Sequence, residues 1–100
     1  MRAMRLSPEN LALLQATLRR FFGAEAVTYL YGSRLDDQAR GGDVDVFVET
    51  PLTVDYRRRA QALAALESAL HLPVDLLVKD AEDRDRPIHR IVRLSGVRLQ

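Results

Sequence analysis

Cysteine is missing from this 100-residue chain, and with it any disulfide framework and any thiolate zinc site. Long apolar runs are missing too, and none approaches the roughly 20 residues that a membrane-crossing helix requires. No apolar stretch follows Arg2 and Arg5, so no targeting segment is expected and the chain is placed in the cytoplasm, away from membranes. An excess of one charge is likewise absent, since 15 basic residues face 14 acidic ones. That near-balance argues against a surface uniformly attractive to nucleic acid, so direct nucleic-acid binding is not expected. Repeats, low-complexity tracts and Ser/Pro linkers are lacking, and residues 1–100 read as one domain. What is present is ordinary for a globular protein: 47% hydrophobic and 29% charged residues. Folding at this length buries roughly 60–70% of the extended chain's surface, enough for one modest core.

The balanced total conceals two unlike regions. Between Tyr31 and Thr50 five acids (Asp36, Asp37, Asp43, Asp45, Glu49) outnumber two arginines. Between Arg84 and Gln100 five arginines face a single acid, Asp85.

The element order reads helix, strand, short helix, strand, helix, strand, helix. Ser7 is a good N-cap, Pro8 is tolerated in a first turn, Glu9 suits the positive end of the dipole, and Gly23 is a natural stop. Between them Leu11, Leu14, Leu18 and Phe21 or Phe22 recur at helical spacing. Ala26 to Tyr31 reads as a buried strand, and Asp43 to Glu49 as a second strand with Val44, Val46 and Val48 on one side. Thr53 is the expected cap of a long helix reaching Leu70, and Val74 to Val78 forms a third strand. Pro87 opens a last helix that Gly96 ends. The expected class is α/β (α+β), a small mixed β-sheet with helices packed on one face.

Chemistry concentrates in Tyr31-Gly32-Ser33-Arg34, nine residues from Arg34 to Gly42, then Asp43-Val44-Asp45-Val46. Residues two apart on a strand point the same way, so Asp43 and Asp45 project together. Carboxylates that close repel unless a cation lies between them, and the hard cation suited to oxygen ligands is Mg²⁺. Asp75 stands in the apolar run Pro73 to Val78, where burying a lone carboxylate is costly unless it faces a metal or a cleft. If the two strands are neighbours, three aspartates converge. Gly32 lets the backbone approach an anion, and a short helix over Arg34 to Ala39 capped by Ser33 would present free N–H groups to phosphate.

Gly32-Ser33, the gap, Asp43-Val44-Asp45-Val46 and the later Asp75 resemble the signature of the polymerase-β-type nucleotidyltransferases. The chain resembles most the small bacterial members, the minimal nucleotidyltransferases (MNT), over about residues 21 to 80, and its tail from Pro87 to Leu99 resembles theirs. The resemblance implies a Mg²⁺-dependent transfer of AMP from ATP. Asp43 and Asp45 would hold two Mg²⁺ ions. Asp75 would complete the acceptor-side metal and help deprotonate the attacking hydroxyl, with pyrophosphate leaving. Gly32 and Ser33 would hold the β- and γ-phosphates, with Arg34 near the leaving group. Gly42 departs from the family, many of whose members have serine there. Because 100 residues leave no room for an acceptor-recognition domain, the acceptor is expected on another chain. The resemblance implies an antitoxin that adenylylates (AMPylates) a tyrosine of a HEPN-type ribonuclease toxin. The alternative is an inactive binding module that neutralises the toxin by docking alone.

Plainer readings compete. Asp43 and Asp45 on the exposed face of an edge strand would need no metal, and Asp75 paired with an arginine would need no substrate. Arg84 and His89 match the Arg-x4-His spacing of HEPN ribonucleases. Those are helical bundles, whereas this core is built on strands, so the spacing is coincidental. His71 closes a helix, Arg57 to Arg59 read as a solvated face, and Arg86, Arg90 and Arg93 as an exposed stripe.

Overall fold

The computed structural model describes residues 6–32 and 44–99. The order is α1 (Pro8–Phe22), β1 (Val27–Tyr31), β2 (Val44–Glu49), α2 (Tyr56–Leu70), β3 (Val74–Lys79), α3 (Pro87–Ser95) and β4 (Val97–Arg98). The short helix expected over Arg34 to Ala39 lies outside the described residues. Ser7 caps α1 by accepting from the Asn10 N–H at 3.1 Å, and Gly23 ends it at φ +93°. The cap of α2 is Asp55, whose carboxylate accepts from the Arg58 N–H at 2.8 Å; Thr53 lies two residues too early. His71 closes α2 in the left-handed conformation at φ 55°, as its position suggested.

The sheet is four-stranded in the order β3-β2-β1-β4. β1 is antiparallel to β2 and to β4, whereas β2 and β3 are parallel and joined through α2. On one face Leu30, Val44, Val46, Val48, Val74 and Val78 meet Leu14, Leu18 and Phe22 of α1 and Ala62, Leu66 and Leu70 of α2. Each large apolar side chain fully buried there contributes about 1.5–3 kcal/mol. This is the helix-covered face the sequence calls for.

The third helix lies elsewhere. Phe47 points away from the three valines of its strand and pairs with Tyr29 across β1, their rings 5.8 Å apart. On the other side of Phe47 stacks His89 of α3, at 5.2 Å and within 5° of parallel. So α3 packs on the opposite face from α1 and α2. Arg93 fastens it there, donating to both carboxylate oxygens of Glu49 at 2.6 and 2.9 Å and also bridging to Asp85. The expected exposed arginine stripe therefore loses Arg93 to an ion-pair network. Of the expected solvated run, Arg58 donates to the Phe21 carbonyl at 2.8 Å, and Arg59 pairs with buried Asp80 at 3.1 Å and with Asp83. Among the described residues no helix is long and apolar enough to cross a membrane.

Candidate active site

Register brings the site together. Tyr31 at the end of β1 is paired with Asp45 on β2, and Asp45 with Asp75 on β3. Paired residues share a face, so the three form one row across three strands, with neighbouring strands about 4.8 Å apart. The row faces away from α1 and α2, on the side that carries α3. β2 and β3 both begin at this corner, where their parallel course places Val44 and Val74, one residue before each acid, in the core.

Gly32 follows directly, at φ +76°. A side chain there would collide with the site itself, because an added Cβ would lie 2.1 Å from Asp45 Oδ2 and 3.0 Å from its Cγ. The turn backbone thus approaches the Asp45 carboxylate to a distance that only glycine permits.

The corner is negatively charged. The Tyr31 phenol is pushed up to about 12, first by burial and then by the nearby carboxylates of Asp75 and Asp45. Its hydroxyl stays protonated at neutral pH. Asp75 itself is exposed, not sunk into the strand as its apolar neighbours implied. Asp45 is half-buried. The exposed Asp75 thus stands opposite the half-buried Asp45.

Of the site residues expected from sequence, Gly32, Asp45 and Asp75 come together. Ser33, Arg34, Gly42 and Asp43 lie outside the described residues. Among the described residues no group of three or more His, Cys, Asp or Glu side chains is placed to hold a metal ion. The opposed pair Asp45 and Asp75 nonetheless fits a hard cation. It offers oxygen donors on one face, and the two carboxylates add to the rise that burial gives the Tyr31 phenol.

Two residues of this face were not singled out as structural groups by sequence reasoning. Tyr31 entered as the end of a buried strand and the residue before Gly32, and His89 as half of a coincidental spacing. His89 is 1% exposed, and its Nδ1 accepts from the Arg86 N–H at 2.9 Å, which leaves the proton on Nε2. Burial holds it below the usual histidine range, with Arg86 adding to the effect. The usable signal was its place one helical step from Val92 on the helix's inner side.

Comparison with known proteins agrees with this geometry. The nucleotidyltransferase domain model matches residues 12–96. No protein of curated function matches the chain in sequence. Among solved structures, the MntA–HepT toxin–antitoxin complex aligns with TM-score 0.69 at 25% identity, over 91% of this chain and 69% of that one. A mutant of that pair, with two aspartates two positions apart changed to glutamate, aligns with TM-score 0.73 at 25% identity, over 90% and 71%. The tri-AMPylated HEPN toxin of Shewanella oneidensis in complex with MNT antitoxin gives TM-score 0.70 at 26% identity, over 91% and 69%. With this fold, this corner of carboxylates and a family model spanning most of its length, the chain belongs to the nucleotidyltransferase domain family.

Proposed function

We propose that the chain is an antitoxin that transfers AMP from ATP to a tyrosine hydroxyl of a HEPN-type toxin. The observation that carries this reading is the row Tyr31, Asp45, Asp75 with Gly32 closed against the Asp45 carboxylate. The solved relatives support the choice of acceptor, since they are toxin–antitoxin pairs and one contains an AMPylated toxin.

Asp43, Asp45 and Asp75 are the proposed holders of two Mg²⁺ ions. When bound, Mg²⁺ neutralises the triphosphate and makes an acceptor hydroxyl more acidic. Asp75, exposed on β3, takes the acceptor's proton as its oxygen bonds to the α-phosphorus. The bond from that phosphorus to the bridging oxygen breaks, and pyrophosphate leaves. Gly32 and Ser33 bind the β- and γ-phosphates through the turn, and Arg34 balances charge on the leaving group. The Tyr31 phenol, beside both described acids, stays protonated and does not add another negative charge.

Pyrophosphate release from ATP tests the reading. Release is expected only when Mg²⁺ and the toxin are both present, and is expected to fall to background in Asp43→Asn. Full toxin neutralisation by an Asp43→Asn/Asp45→Asn double variant would favour docking alone.

A further inference from the structure

We infer that the exposed apolar ridge of α3, formed by Ile88, Ile91 and Leu94, is the surface on which the acceptor protein seats, through an apolar patch fringed with carboxylates. This rests on the transfer reading above. The helix turns His89 and Val92 inward and leaves Ile88 39%, Ile91 57% and Leu94 88% exposed. At the helical repeat these three fall within an arc of about 120°. Among the described residues, nothing covers this stripe on a nine-residue helix.

Its position ties it to the site. α3 lies on the sheet face that carries the Tyr31–Asp45–Asp75 row, and its end meets that row. A Cβ on Gly96 would lie 2.8 Å from the Leu30 carbonyl and 3.4 Å from the Tyr31 Cβ. Leu94 stands two residues before this contact. A folded protein that brings a hydroxyl to Asp75 has to lay its body over the adjoining surface, and the ridge adjoins.

Charge selects the partner. Arg93 is engaged by Glu49 and Asp85, but Arg86 and Arg90 are exposed and form no ion pair among the described residues. A second copy of this chain would bring the same arginines to the border. An acid-fringed apolar patch satisfies both the ridge and its rim.

The experiment is a titration of the purified HEPN-type toxin without ATP, using the wild-type chain, Leu94→Asp, Ile91→Asp and Arg90→Glu. The two ridge variants replace exposed side chains, and unchanged circular dichroism confirms their fold. Each is expected to weaken Kd by at least about tenfold. Arg90→Glu is expected to slow association and flatten its salt dependence. An unchanged Kd in both ridge variants, or no binding by the wild-type chain, overturns the inference. So does a wild-type homodimer that Leu94→Asp converts to monomer, which would assign the ridge to a second copy. AMP transfer is read separately. Ridge-sensitive binding without transfer would refute the transfer reading and keep the docking surface, and ridge-insensitive binding with transfer would do the reverse.

Discussion

A β-carbon on Gly32 would stand 2.1 Å from Oδ2 of Asp45. The turn after β1 and the acid on β2 are therefore a single fitted unit. Gly32→Ala forces a methyl group into that space and holds a non-glycine residue at φ +76°. The strain costs about 1–2 kcal/mol. Displacing a reacting group by about 1 Å costs on the order of a hundredfold in rate. AMP transfer should thus fall about a hundredfold while thermal unfolding shows a folded protein, which steady-state kinetics and a melting curve together check.

Asp45→Asn and Asp75→Asn separate function from stability. Each removes one member of a like-charged pair opposed across adjacent strands, and the exposed Asp75 should be replaced without lowering Tm. Even outer-shell changes at metal sites cost about 10–100-fold in activity or metal affinity, and a carboxylate proposed as a direct ligand should cost at least that. Mg²⁺ titration of transfer rate, alongside calorimetric melting, reads both effects.

The reverse pattern belongs to Asp80. It is 4% exposed, accepts from the Val54 N–H at 2.8 Å and the Glu82 N–H at 3.0 Å, and pairs with Arg59. The two backbone hydrogen bonds hold its carboxyl below the usual range, Val54 contributing most, against the opposing effect of burial. Asp80→Ala strands those donors and should cost about 3 kcal/mol. Arg59 is partly exposed and keeps Asp83, which holds the loss near the low end. Denaturant unfolding measures it, with Mg²⁺ affinity unchanged.

Much of this fold is readable in the chain because its punctuation is local. Ser7, Pro8 and Gly23 bound α1 in sequence as in structure, and Pro87 and Gly96 do the same for α3. Thr53 and Asp55 both offer an oxygen at the start of α2, and the fold decides for Asp55, which accepts from the Arg58 N–H three residues on, while the Val54 N–H goes to Asp80. β4 has two residues and exists only as a partner of Leu30 and Tyr29. The face that α3 occupies depends on Phe47, which sits at an outward position of an otherwise alternating strand. Its stacking on His89 is a long-range contact that no periodicity announces. For the site, Asp45 and Asp75 were legible through their strands, but their direct opposition depends on parallel register. Tyr31 was hidden for the same reason.

Buried His89 makes stability depend on pH. Its folded-state value lies below the ordinary 6.5, chiefly through burial. The unfolded chain therefore binds the proton first, and stability rises with pH across the interval. Stability should be full above about pH 6.5 and decline as the pH drops toward the folded-state value, by at most about 1.4 kcal/mol per unit. Glu49, Asp80 and Asp85 are shifted down and act in a separate, more acidic window, entered as the pH falls below the ordinary carboxylate range. Melting curves from about pH 7 to pH 5 should show a slope that His89→Gln removes.

Intact-mass spectrometry of the HEPN toxin reads AMP transfer itself. The toxin is incubated with ATP, Mg²⁺ and either the wild-type chain or Asp45→Asn. The wild-type chain should add AMP to the toxin, localised by fragmentation to a tyrosine, and the toxin's ribonuclease activity should fall in step. Asp45→Asn should leave the mass unchanged. A toxin silenced by the wild-type chain with no gain in mass, or one modified equally by Asp45→Asn, would contradict the account.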